Sequence, residues 1–363
     1  MKQGKAVAVL AEEVERQSKE KRDFLADQRQ LSMVYGHGDS DKVFGVKVNG
    51  HGVFEPNEVF HEQIATRLGI PKQYYDRMKA EAPDLMLANA NRWLSAGREK
   101  RMVRTLFGKA RAFLSDRYRP LDNKDLAEAA LRKIADVGAE VMSCELTDRR
   151  MYIKAVFPKV EAKILGDTVQ SGVVISNSEV GCGSVRVEPL VFKLACLNGM
   201  IVADSSVRKF HIGRGGEVED DGAREFYRDE TRKADDAAFW MKVSDIVEAT
   251  LDSAKFGRIV DRIKRASETE LPEDPVEVVK VVQGRYGLSE TEGGSVLKHL
   301  VRGADLSQWG LVNAITRSSQ DATDYDRATD LERLGGEVLE LQPVDWERIA
   351  KAWGVRSRAK IVA

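Results

Sequence analysis

The stretch Ala139-Glu-Val-Met-Ser-Cys-Glu-Leu-Thr-Asp-Arg-Arg-Met-Tyr-Ile-Lys-Ala-Val-Phe157 decides how the fold is read. Two strand-like runs, Ala139 to Leu146 and Met151 to Phe157, flank Thr147-Asp-Arg-Arg150, a link far too short for a parallel crossover, so they pair antiparallel. A third run, Thr168 to Ser176, extends the pair to a small antiparallel sheet. Just upstream, Lys124 to Ala135 carries Leu126, Ala130, Leu131 and Ile134 on one helical face, with Asp122 or Asn123 as cap. Just downstream, Val185 to Met200 has two readings: Val185, Val187 and Val191 favour a strand, while Leu190, Leu194 and Ala195 fit a helix.

Farther out, residues 1–30 read as an N-terminal helical arm whose apolar stripe of Val7, Leu10, Val14, Phe24 and Leu25 breaks at Gln17 and Lys21. It is expected to be largely solvated and to dock on its own domain or a neighbour. Residues 31–96 read as a hairpin turning at Asn49-Gly50, then helix, turn, helix around Gly69 and Pro71, then a helix from Pro83 to Trp93. Residues 97–213 form the antiparallel core, with a further strand at Lys109 to Ser115, and 214–222 a glycine-rich and acidic linker. Residues 223–342 are a helical module, with helices at Ala223 to Ser253, Phe256 to Ser267, Pro275 to Tyr286, Ser289 to Val301 and Ser307 to Ser319, and 343–363 a tail. The class is therefore α+β: a small antiparallel sheet with flanking helices, followed by a mainly helical C-terminal module.

A chain of 363 residues, 42% of them hydrophobic, buries a sizeable core without staples. Its 57 basic and 58 acidic residues nearly cancel, which permits self-association and leaves partner inference to local charge. Cys144, Cys182 and Cys196 have no paired spacing, and no apolar run approaches a membrane span or signal core, so a reducing, cytoplasmic setting is expected. The five histidines lack ligand spacing, and neither Gly181-Cys-Gly183 nor Gly213-Arg-Gly-Gly216 fits a phosphate loop, so no metal or cofactor is expected.

Local charge is the strongest functional signal. Between Arg98 and Arg119 stand Lys100, Arg101, Arg104, Lys109, Arg111 and Arg117, with only Glu99 and Asp116 as acids and Phe107, Phe113 and Tyr118 interleaved. Strand alternation from Lys109 points Lys109, Arg111 and Phe113 one way and Ala110, Ala112 and Leu114 the other. A basic, aromatic face suits single-stranded nucleic acid, whose phosphates it neutralises and whose bases it stacks. The equally plain alternative is an exposed strand balanced by acidic helices. Lys209 and Arg214, with Arg208 and His211, form a second basic patch. In the helix-turn-helix, Lys72, Gln73 and Arg77 could reach DNA, or Tyr74, Tyr75 and Met78 could form the buried face of a helical subdomain. Glu179 and Glu188 could act as a cation-binding pair, although a salt bridge from Glu188 to Arg186 or Lys193 is the ordinary expectation.

Four segments remain that composition does not explain: Ser115-Asp-Arg-Tyr-Arg-Pro-Leu-Asp-Asn123, Ile175-Ser-Asn-Ser-Glu-Val-Gly181, Cys196-Leu-Asn-Gly-Met-Ile201 and Trp309-Gly-Leu-Val-Asn-Ala-Ile-Thr316. In this order they resemble the phage- and plasmid-encoded family known as domain of unknown function 932, over roughly Glu55 to Gly336. The resemblance implies a mobile-element setting and supplies no catalytic residue. Such a setting directs attention to single-strand annealing proteins, whose core is three antiparallel strands followed by a helix; Ala139 to Ser176 would supply the strands and Val185 to Leu197 the helix. The expectation is a non-enzymatic, homo-oligomeric protein that binds single-stranded DNA and promotes annealing. Arg104, Lys109, Arg111, Arg117 and Arg119 would contact phosphate, Phe113 and Tyr118 would stack, and Lys209 and Arg214 would assist. The alternative is a protein-interaction module centred on Trp309, Leu311, Val312 and Ile315.

Overall fold

In chain order the elements are α1 (Val7–Glu20), β1 (Arg22–Asp27), β2 (Leu31–His37), β3 (Ser40–Val48), β4 (Gly52–Pro56), α2 (Glu58–Arg67), α3 (Lys72–Glu81), α4 (Pro83–Ala96), β5 (Lys100–Leu106), β6 (Lys109–Ser115) and α5 (Asn123–Asp136). Next come β7 (Glu140–Leu146), β8 (Met151–Ile164), β9 (Asp167–Asn177), β10 (Arg186–Lys193) and β11 (Asn198–Ile201). The last helices are α6 (Asp229–Ala249), α7 (Ser253–Glu268), α8 (Pro275–Tyr286), α9 (Glu290–Gly303), α10 (Gln308–Ser318) and α11 (Tyr325–Leu339). This is a computed structural model describing residues 1–37, 40–118, 120–202, 229–271, 274–342 and 344–345. Arg119, Lys209, Arg214, the expected linker and nearly all of the tail lie outside the described residues.

The expected three-stranded core is the middle of a five-stranded antiparallel sheet, ordered β11-β10-β9-β8-β7. Residues 147–150 join β7 to β8, and Asn177 lies opposite Met151 across β8 and β9. Val185 to Met200 resolves as two antiparallel strands, β10 and β11, joined by a turn over residues 194–197, with Arg186 opposite Ser176 and Lys193 opposite Val169. Its mixed pattern has a physical cause: the sheet is covered on both faces. Val185 and Val187 join one buried cluster, and Leu190 and Phe192 another, so neither a clean alternation nor a helical stripe was there to read. The helix required by the annealing-protein analogy is therefore absent from this position, and the analogy lapses.

A second sheet, of six strands in the order β1-β5-β6-β4-β3-β2, was not expected as a unit. The hairpin at Asn49-Gly50 is present, with Gly50 in the left-handed region (φ +80°). The N-terminal arm is integrated: Leu10 and Val14 of α1 pack with Leu126 and Ala130 of α5, and residues 22–27 are a strand on β5 rather than helix. Helices α2 to α4 cover this sheet through Phe60, Ile64, Tyr75, Met78, Met86, Ala90 and Leu94.

The C-terminal helices form the expected module, with α11 added to those the sequence reading named. The module is built onto the five-stranded sheet, because one cluster joins Ile259, Ile263, Val282, Leu311, Ile315 and Val338 to Ile164, Val169, Val191 and Met200. Packing is closest where α11 crosses β11, since a Cβ on Gly336 would stand 1.9 Å from the Ile201 carbonyl oxygen. Among the described residues, no helix is long and apolar enough to cross a membrane.

Candidate nucleic-acid interface

Strand β6 lies in the interior of the six-stranded sheet, between β5 and β4, and its residues from Ala110 to Leu114 are all buried. The expected basic, solvent-facing strand face is thus not formed. Arg104 lies opposite Ala112 and Thr105 opposite Ala110, so Arg111 is the extra residue of a bulge and the alternation running through it is broken. Phe113 is in the core, edge-on to Phe60 and beneath the Arg101 guanidinium, where no base can stack on it. Arg104 and Arg111 are buried and committed to carboxylates.

Glu179 organises that burial. Its Oε2 accepts from Arg111 Nη2 at 2.7 Å, and its Oε1 accepts from the backbone N–H of Asn123 at 2.7 Å. A strand-end carboxylate therefore caps α5, while the local candidate at the N-cap, Asp122, makes no side-chain cap. Arg104 donates to the Glu179 carbonyl at 2.5 Å and to Asp23 Oδ1 at 2.8 Å, and Lys21 sits 2.6 Å from Asp122. Burial disfavours the Arg104 charge, yet the Asp23 hydrogen bond and the fields of Glu179 and Asp122 outweigh it and raise its pKa. Asn177 Nδ2 donates to Asn123 Oδ1 and to the Leu121 carbonyl, and the Tyr118 hydroxyl donates to the Ser178 carbonyl. Gln63 of α2 completes the junction, donating to the Val180 carbonyl and accepting from Phe113 N–H. Two of the four unexplained segments, 115–123 and 175–181, are thus halves of one polar junction between the sheets.

The other two segments meet at the opposite end of the five-stranded sheet. Asn198 Nδ2 donates to the Asn313 carbonyl, and Gln320 reaches Asn198 Oδ1 and the Cys196 carbonyl. Trp309, Leu311, Val312 and Ile315 are buried in the core there, so they present no interaction surface. Glu188 is held by Arg333 of α11, rather than by Arg186 or Lys193, and does not approach Glu179 as a pair. Lys193 pairs instead with Asp167.

The cations that reach solvent lie at the ends of the strands. Lys109 is exposed beside Phe107 at one end and pairs with Glu55 at 3.2 Å. At the other end, Arg98 precedes β5 and Lys100 opens it, and Arg101 lies opposite Ser115, so exposed Arg117 emerges beside them. Arg98 and Lys100 have no carboxylate ion pair among the described residues; Glu99, between them, is paired with buried Arg101. Tyr118 is half-buried against Leu114 and Val180. The helix-turn-helix offers less: Lys72 is held by Glu58 and Asp76 and Arg77 by Glu81, while Tyr75 and Met78 are the buried face.

Sequence reasoning missed Trp93, in the last turn of α4, which is 51% exposed immediately before this basic end. Its indole Nε1–H donates to Asn89 Oδ1 at 2.8 Å. Helical spacing puts Trp93 on the shoulder of the buried Met86, Ala90 and Leu94 stripe, so periodicity reads it as core. Only the tertiary structure shows that shoulder open.

The chain belongs to the family described as domain of unknown function (DUF932), whose model matches residues 111–334. No curated protein and no solved structure matches the chain. The matched region takes in all four segments, while Lys21, Asp23, Gln63 and Arg104 of the first junction precede it. Trp93, Arg98 and Lys100 precede it.

Proposed function

We propose that this member of the family binds single-stranded nucleic acid, with phosphate contacts from Arg98, Lys100 and Arg117 at the exposed end of β5 and β6. The reading extends to a non-enzymatic, self-associating cytoplasmic protein of a mobile element. One observation carries it: the same run of cations divides into buried members matched by carboxylates, exposed Lys109 paired with Glu55 at one strand end, and exposed Arg98, Lys100 and Arg117 at the other, where Arg98 and Lys100 have no ion-paired acid among the described residues. Exposed guanidinium and ammonium groups without an ion-paired acid release counterions when they meet a phosphate chain.

The test is fluorescence anisotropy with a labelled single strand across a salt series. The wild-type protein should bind at low salt and weaken steeply as salt rises. Arg98→Gln with Lys100→Gln should lower the log–log salt slope by about 1.4, the loss of two phosphate contacts on a single strand. Lack of binding by the wild-type protein at low salt overturns the reading.

A further inference from the structure

We infer that the site takes unpaired bases as well as phosphates, with Trp93 as a fixed stacking platform; this rests on the reading just given. Three features of α4 point to it. Trp93 is half exposed, although tryptophan is highly buried on average. The ring is also held in place without being covered. Its Nε1–H is anchored on Asn89 Oδ1 one helical turn back, and Asn89 in turn donates to Met78 Sδ of α3 at 3.8 Å. An aromatic face fixed in this way loses little freedom when a base lands on it. Finally, cations neighbour it in the chain: Arg92, exposed, precedes it on α4, and Arg98 and Lys100, both exposed, follow within one short connection whose Gly97 N–H returns to the Trp93 carbonyl. A flat ring among cations matches a phosphate chain with splayed bases, and stacking on it is indifferent to base identity. It does not match a duplex, whose bases are already stacked on one another.

Paired oligonucleotides of equal length separate stacking from charge: one of ordinary sequence, the other with abasic residues on the same phosphate backbone. The wild-type protein should prefer the base-bearing strand by about tenfold. Trp93→Ala should bring that ratio close to one without changing the salt slope, and Trp93→Phe should keep most of it. Asn89→Ala should lower the ratio part-way by releasing the ring, which marks Asn89 as a positioning residue. An unchanged ratio in Trp93→Ala, or no preference in the wild-type protein, overturns the stacking inference while salt-dependent binding leaves the phosphate reading standing. Failure to bind either strand at low salt removes both.

Discussion

At the Glu179 junction three cations, Lys21, Arg104 and Arg111, meet three carboxylates, Asp23, Asp122 and Glu179. Under α11, by contrast, Lys154 has Glu332 as its one ion-pair partner among the described residues, at 2.7 Å, with both side chains fully buried. Thr329 Oγ1 accepts from Lys154 Nζ at 3.0 Å, and the Tyr325 ring lies 4.5 Å away, but Glu332 Oε1 has no hydrogen-bond partner among the described residues. The electrostatic outcomes differ in sign. Arg104 is held above the ordinary guanidinium pKa, whereas burial pulls Lys154 below the ordinary lysine value despite its carboxylate. Redundant partners and planar, permanently charged guanidinium groups make the first junction a clasp; at the second, one point charge has one carboxylate partner, and burial dominates the ionisation of Lys154.

Double variants put that difference at its largest. Glu179→Ala and Glu332→Ala should each cost about 3–5 kcal/mol, because each strands a buried cation. Lys154→Met with Glu332→Leu should recover to within about 1 kcal/mol of wild type, since neither side chain has another ion-pair partner among the described residues. Arg111→Met with Glu179→Leu should remain about 2–3 kcal/mol down, because the Asn123 N–H at the start of α5 loses its acceptor and Lys21 a nearby carboxylate. Urea unfolding measures all four, and equal recovery at both sites would show that redundancy does not distinguish them.

Backbone approach gives a second contrast. Gly336→Ala sets a methyl against the Ile201 carbonyl and should cost about 3 kcal/mol or part α11 from β11. Gly181, in the turn beside Glu179, has φ +76°, and a Cβ there would crowd the end of the Leu114 side chain at 2.6 Å, with Gln63 and Tyr118 at ordinary contact distance. Gly181→Ala should therefore cost about 1–2 kcal/mol, the left-handed penalty. Thermal unfolding midpoints rank the two, and the reverse order would place the tighter constraint at the sheet-to-sheet junction.

Acid titration separates both clusters from a third buried group. His61 of α2 shares a 2.7 Å hydrogen bond with Tyr75, and desolvation, aided by Lys79, lowers its pKa from 6.5 to about 4. The unfolded chain therefore takes up a proton that the fold refuses, and stability should fall by up to about 3 kcal/mol as pH drops from about 6.5 to about 4. His61→Gln should flatten that slope. A slope that survives the substitution excludes His61 as its source.

Legibility followed local encoding. The β7–β8 pair, α5, the Asn49-Gly50 turn and α8 were readable because a short link, a single apolar stripe or a glycine with positive φ specifies each within a dozen residues. The Glu179 hub was visible only as an unusual density of Asn, Ser, Glu and Gly, because its partners Arg104, Arg111, Asn123 and Lys21 come from three other segments. The basic strand misled for a related reason. Lys109, Arg111 and Phe113 follow the pattern of a half-exposed strand, and nothing near them in sequence records the bulge at Arg111 or the strands on either side.

The sequence by itself determined the α+β class, most element identities, the run of cations and the four segments that mark the family, because these depend on propensity, periodicity and turn chemistry over short distances. Tertiary structure alone decided that β10 is a strand, that Arg104, Arg111 and Phe113 are interior while Arg98, Lys100 and Trp93 are not, and that the four segments form two junctions. Charge and hydrophobicity give a side chain its preferences. Whether a cation meets water or a buried carboxylate depends on which distant segment the fold lays across it.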